Sequence, residues 1–130
     1  MQNFAAKTVC NVHSRRAHAK PLLKRLHWLP CVDRATFKVA LLVHKALLGS
    51  APSYLSELLI RPSRASRSSS SRKLIMPTTR FKSSNCAFEF AAPSVWNSLP
   101  ISLTMAESTE VFKKELKTLL FRGAFRDVED

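Results

Sequence analysis

The chain has 130 residues and a formal net charge of +12, which suits one small and strongly basic domain. Two glycines against seven prolines argue against a β-rich fold, because such folds need glycine at their turns. No apolar run approaches the length that spans a membrane, and three widely spaced cysteines make a poor disulfide framework. We therefore expect an intracellular protein, in the nucleus or cytoplasm, with no membrane partner and no secretory leader.

The positive charge is concentrated in two segments. Residues 1–32 contain six lysines and arginines and residues 61–82 contain seven, with no acidic residue in either segment. Such a field attracts polyanions, nucleic acid in the first place, through contacts with backbone phosphates. The alternative is solvated charge that has no partner. We expect RNA or DNA to contact nine of the basic residues: Arg15, Arg16, Lys20, Lys24, Arg25, Arg64, Arg67, Arg72 and Lys73.

A helical N-terminal lobe is predicted over residues 1–60. Apolar residues at helical spacing predict an amphipathic helix over residues 2–13. Pro21 then opens a short helix that ends at Leu26, since proline is well tolerated in the first helical turn.

The strongest helical pattern of this lobe runs over residues 33–48. Asp33 is its predicted N-cap and Gly49 its predicted C-terminal stop. The pattern is apolar on nearly every side, which predicts burial of most of the helix surface. Residues 51–53 begin a further short helix.

An Arg/Ser-rich stretch follows over residues 61–73. It has almost no apolar side chain and cannot offset its ordering entropy by burial, so we expect a disordered linker. The linker separates the N-terminal lobe from a C-terminal lobe over residues 74–130. The predicted fold class is therefore mainly α, a small helical fragment in two lobes.

The C-terminal lobe is predicted to be helical, and its sequence is also compatible with one short β-hairpin. Residues 74–77 and 80–82 are the two candidate strands of that hairpin. A helix is expected over residues 87–98, and a last helix begins at its N-cap, Ser108. Apolar residues at helical spacing give the last helix one clear buried stripe.

Both tryptophans lie in elements that combine the aromatic ring with leucine and a nearby proline. Trp28 is followed closely by Pro30, and Trp96 by Pro100. The ring buries a large area and the proline fixes the chain direction, so these four residues are predicted packing anchors. The alternative for either tryptophan is stacking on nucleic-acid bases.

Four residues have the local spacings of zinc ligands: Cys10 with His13, and His27 with Cys31. The alternative, which we favour, is that the cysteines flank helices and that His27 belongs to a packing element. We therefore expect no metal and no other cofactor.

The acidic residues do not suggest catalysis. Polymerisation of nucleotides needs metal ions held by close carboxylates. Up to residue 106 the only acids are Asp33, Glu57 and Glu89, which are widely separated. We expect no enzymatic activity and no small-molecule substrate.

Six segments follow one another in a recognisable order over nearly the whole chain: residues 2–7, 22–30, 34–38, 45–55, 92–100 and 112–121. Residues 92–100, for example, are similar to the pattern Ala-Pro-x-x-Trp-Asn-Ser-Leu-Pro. Together the segments resemble the C-terminal tail of the reverse transcriptases of LINE-type (non-LTR) retrotransposons. The resemblance implies a tail that follows the palm and thumb of a polymerase, with the rest of that reverse transcriptase as a further partner.

The chain departs from the family pattern in two places. Cys31 stands where the family has valine after Leu-Pro, and residues 101–104 lack the arginine that often follows the Trp-Asn-Ser-Leu-Pro segment. The expected function is a non-catalytic segment of such a reverse transcriptase that contacts RNA or DNA. The alternative is a truncated, transposon-derived remnant with a structural or interaction role and no independent activity.

Overall fold

The computed structural model describes residues 1–61, 72–78 and 87–128. Within these ranges it contains seven α-helices and no strand: α1 (Gln2–Val9), α2 (Ala19–Arg25), α3 (Cys31–Leu47), α4 (Ser53–Glu57), α5 (Phe88–Asn97), α6 (Ile101–Thr104) and α7 (Thr109–Ala124). The predicted mainly α fold is confirmed. Of the candidate hairpin, residues 74–77 are not a strand, and residues 80–82 lie outside the described ranges. No helix among the described residues is long and apolar enough to cross a membrane.

A residue with positive φ closes each of the first two helices, and the first helix ends earlier than its apolar pattern suggests. Asn11 has φ of 56°, and α1 therefore ends at Val9 rather than near residue 13. His27 has φ of 53° and follows the end of α2 in the same way. In each case two backbone N–H groups turn back to carbonyls of the last turn, which is the Schellman arrangement.

The end of α3 agrees with the sequence and its beginning does not. Gly49 has φ of 73°, and the N–H groups of Gly49 and Ser50 donate to Ala46 and Lys45, so the predicted glycine stop is confirmed. The helix begins at Cys31, directly after Pro30, and Asp33 lies inside its first turn rather than at the N-cap. The prediction of an Asp33 N-cap was therefore wrong, because Pro30 is itself the cap residue.

Helix α3 is the centre of the larger hydrophobic cluster, which we call the main core. Ala40 and Val43 of α3 are fully buried against Trp96 of α5 and against Phe112 and Leu116 of α7. A helix with apolar residues on most of its sides needs partners on several sides. Helices α4, α5 and α7 supply them.

A second hydrophobic cluster, the terminal cluster, joins the first two helices to the end of the last. Its buried residues are Ala6, Leu23 and Phe125, and Trp28 and Phe121 pack against it half-buried. Both clusters thus combine residues from before and after the Arg/Ser-rich segment. Helix α7 takes part in both, with its first half in the main core and its end in the terminal cluster.

Candidate nucleic-acid interface

The N-terminal basic residues lie on α2 and on the turn before it. Arg15 and Arg16 occupy a turn between α1 and α2, and both are exposed. Lys7 holds this turn, because its Nζ donates to the carbonyls of Ser14 at 3.3 Å and Arg15 at 3.1 Å. The two arginines therefore project into solvent from a turn that is tied back to α1.

Helix α2 carries three of the predicted contacts. Lys20 and Arg25 are exposed. Lys24 is half-buried, and its Nζ donates to the carbonyl of Val128 at 2.9 Å. Lys24 thus ties α2 to the end of the chain, while Lys20 and Arg25 present their charges to solvent. We call the four exposed side chains, Arg15, Arg16, Lys20 and Arg25, the basic surface.

Opposite charges do not neutralise the basic surface within the described part of the chain. There, the one ion pair that is observed joins Lys113 to Glu110 at 2.9 Å, on the exposed side of α7. Unpaired arginines and lysines are the groups that replace condensed counterions on a polyphosphate. The basic surface is therefore chemically suited to backbone phosphates.

The second basic segment is only partly described, since Arg64 and Arg67 lie outside the described residues. Arg72 and Lys73 are exposed, but their backbone is held firmly. The Trp96 indole N–H donates to the carbonyl of Arg72 at 2.7 Å, and Leu74 is buried in the main core. No described hydrogen bond connects these two residues with the basic surface.

The structure assigns different surroundings to the two tryptophans. Trp96 is 1% exposed and lies against Phe112, with ring centroids 5.8 Å apart. Trp96 therefore has no face left for a base. Trp28 is half-buried beside the terminal cluster and keeps part of its ring accessible.

Three of the four candidate zinc ligands bond to or stack on other residues. His27 stacks on Phe121 with ring centroids 5.4 Å apart, and the Cys31 thiol donates to Gln2 Oε1 at 3.1 Å. His13 bonds to the side chain of Asn11. Among the described residues, no three histidine, cysteine or acidic side chains form a group that could hold a metal ion. Cys10, His13, His27 and Cys31 are therefore not brought together.

The buried histidine of the main core has a structural position. His44 is 1% exposed, stacks on Phe112 at 4.2 Å between ring centroids, and donates from Nε2 to the carbonyl of Ala106 at 2.9 Å. Its Nδ1 has no hydrogen-bond partner among the described residues. The His44 ring is thus enclosed by aromatic and backbone groups of the main core.

Two polar residues that the sequence analysis did not single out hold the tryptophan elements in place. The Gln2 side chain donates to the carbonyl of Leu29 at 2.6 Å and so connects α1 with the segment that contains Trp28 and Pro30. Asn97 bonds to the backbone N–H and carbonyl of Leu74 and so connects the segment that contains Trp96 and Pro100 with residues 72–74. Their only signal in the sequence is an amide side chain inside or next to an apolar motif.

Comparison with protein-family models, with curated proteins and with solved structures finds no match to this chain. A functional interpretation therefore starts from the resemblance of the six sequence segments and from the geometry of the exposed side chains. Of these, the basic surface is the feature with the clearest chemical preference, since four exposed cations favour an anionic partner.

Proposed function

We propose that this chain binds RNA or DNA through backbone phosphates, as a non-catalytic segment like the C-terminal tail of LINE-type reverse transcriptases. The observation that carries the proposal is the basic surface, whose four side chains are exposed and have no described ion pair. Each cation that meets a phosphate releases condensed counterions, which supplies most of the affinity of such complexes.

The arrangement of the cations supports contact with a phosphate backbone rather than with one small anion. Arg15 and Arg16 project from a turn, while Lys20 and Arg25 lie on successive turns of α2. Five residues of helix rise about 7.5 Å and turn through about 140°, so Lys20 and Arg25 do not converge on one small anion. Arg72 and Lys73 extend the proposed contacts to a second site on the chain.

The rest of the molecule supports a role without catalysis. Among the residues that the structure describes, which include Asp33, Glu57 and Glu89, no three histidine, cysteine or acidic side chains form a group that could hold a metal ion. Phosphoryl transfer through metal ions requires carboxylates that share one site. We therefore assign a binding role to this chain. Any polymerase chemistry belongs to another part of a larger protein or complex.

The full chain should bind a fluorescein-labelled RNA oligomer of mixed sequence, followed by fluorescence anisotropy over a series of salt concentrations. The four cations of the basic surface predict that log K falls with log salt with a slope of about −3 for a single strand, and contacts of Arg72 and Lys73 make the slope steeper. Single-stranded and duplex DNA of the same sequence measure the preference between nucleic acids. Absence of binding at low salt would overturn the proposal and favour a structural remnant without independent activity.

A further inference from the structure

A wide apolar groove lies between the main core and the terminal cluster, with a volume of about 1030 Å³. Trp28, which packs on the terminal cluster, forms one side of it, and Phe37, which packs on the main core, forms another. Leu29 and Phe4 complete the apolar walls. The groove therefore has walls from both clusters.

The groove exposes apolar surface that a small monomeric protein normally covers. Phe4 is 75% exposed, although it is a large aromatic side chain on a short helix. Scattered exposed apolar residues need no explanation, but a contiguous apolar depression of this size is typical of a binding site.

Two hydrogen bonds connect the walls of the groove. Gln2 of α1 donates to the carbonyl of Leu29, and the Cys31 thiol donates to Gln2 Oε1. These bonds fix α1 relative to the segment that carries Trp28 and to the start of α3. Such a preformed site binds a partner without a large cost of ordering.

The charged side chains that the structure describes at the groove are all cations. Arg34 and Lys38 lie four residues apart on one face of α3, and Lys117 comes from α7. All three are exposed, and among the described residues no acidic side chain lines the groove. The rim therefore complements negative charges placed beside an apolar ridge.

We propose that the groove binds an amphipathic helix of a partner protein, with the apolar face of that helix against Trp28, Phe37 and Phe4. Acidic residues on the flanks of the partner helix meet Arg34, Lys38 and Lys117. This is the recognition mode in which apolar side chains at helical spacing enter a hydrophobic groove. It uses residues other than those of the basic surface, so it does not depend on nucleic-acid binding.

Charge favours this occupant over a second copy of the chain. That copy also carries a net charge of +12, and the two copies would repel each other. Single-stranded nucleic acid, whose bases can stack on exposed aromatic rings such as Phe4, is the other anionic occupant, and the RNA arm of the test distinguishes it from a helix.

The test uses the full chain and a fluorescent helical peptide of about five turns, with leucines on one face and glutamates on its flanks. The proposal predicts saturable binding, measured by anisotropy, that is lost for a scrambled peptide of the same composition. The same leucine face flanked by lysines should bind at least about tenfold more weakly. Equal binding of the glutamate and lysine peptides, or no saturable binding of either, would overturn the proposal.

Matched variants locate the binding. Phe4→Glu should weaken binding of the glutamate peptide about tenfold, while Val9→Glu, on the same helix and 60% exposed but outside the groove, should leave it unchanged. Lys38→Glu should weaken it in the same way, with Lys114→Glu as the control on α7. If Phe4→Glu instead weakens binding of a single-stranded RNA oligomer and leaves the peptide unaffected, the groove is a nucleic-acid site and the proposal fails.

Discussion

Asn97 and Leu74 exchange two hydrogen bonds, in which Asn97 Oδ1 accepts from the Leu74 N–H at 2.9 Å and Asn97 Nδ2 donates to the Leu74 carbonyl at 2.8 Å. The Asn97 side-chain amide thus bonds to the backbone N–H and carbonyl of one residue, as a neighbouring strand would in a sheet. The adjacent Trp96 donates to the Arg72 carbonyl, and the Ile75 N–H donates to the carbonyl of Ile60. The chain that leaves α4 and the chain that returns to α5 are thereby held side by side.

Loss of the Asn97 amide should destabilise the fold. Asn97→Ala leaves the backbone of buried Leu74 without partners, and we expect the free energy of unfolding to fall by about 1–3 kcal/mol. Urea denaturation followed by circular dichroism measures this change. Ser98→Ala is the matched control at an exposed position, with an expected change within about 0.5 kcal/mol. Similar losses for both variants would argue against the double hydrogen bond.

Fluorescence should distinguish the two tryptophans. Trp28→Phe leaves only Trp96, which is 1% exposed, so its emission should lie at shorter wavelength and resist acrylamide quenching. Trp96→Phe leaves only half-buried Trp28, whose emission should lie at longer wavelength and be quenched more readily. Indistinguishable quenching of the two folded variants would contradict the assigned burial.

The two glycines should respond in opposite ways to substitution by alanine. Gly49 has φ of 73° at the end of α3, so Gly49→Ala should cost about 1 kcal/mol even though no atom lies within 4 Å of the added Cβ. Gly123 lies within α7 with open space around it, so Gly123→Ala should add about 0.4–1 kcal/mol. Thermal and urea unfolding check both signs, and a gain at Gly49 would refute the left-handed geometry.

His27 should tolerate only residues that accept positive φ. His27→Asn and His27→Val both remove the stack on Phe121, but only valine is strongly disfavoured at φ of 53°. The valine variant should therefore be less stable than the asparagine variant by about 1–2 kcal/mol. Equal stability of the two variants in urea would show that His27 acts through its ring alone.

The basic surface should carry more of the salt dependence of RNA binding than the basic side chains of α7. Replacing Arg15 and Arg16 by glutamine should reduce the magnitude of the salt slope by about 1.4, since each phosphate contact on a single strand contributes about 0.7. Lys114 and Arg122 are exposed on α7, and their replacement by glutamine removes the same charge. An equal effect of the two double variants would indicate non-specific attraction to the whole molecule.

The sequence was sufficient to predict helices wherever local chemistry decides. The pattern over residues 33–48 predicted α3 and its Gly49 stop, because apolar spacing and the conformational freedom of glycine act within one helix. The apolar pattern did not reveal that α1 ends at Val9, because Asn11 closes this helix at a position where glycine is the usual residue. His27 closes α2 in the same way. The apolar pattern also missed α6, a helix of four residues with little pattern of its own.

The candidate site was predictable only in its charge. The position of the positive charges along the chain identified Arg15, Arg16, Lys20, Lys24 and Arg25. It did not show that Lys24 bonds to Val128 while the other four side chains remain exposed. That distinction depends on residues more than a hundred positions apart in the chain. The apolar groove was not predicted for the same reason, because its walls come from α1, α3 and the segment between α2 and α3.

The sequence by itself determined the helical class, the positive charge and the two tryptophan elements, because these follow from side-chain chemistry and short-range spacing. Only the tertiary structure decided that Trp96 is buried while Trp28 borders a groove, and that α7 joins two clusters. The physical reason is that burial depends on which distant surfaces meet. Asn97 illustrates the point, since its amide acquires its role only when the chain brings the backbone of Leu74 against it.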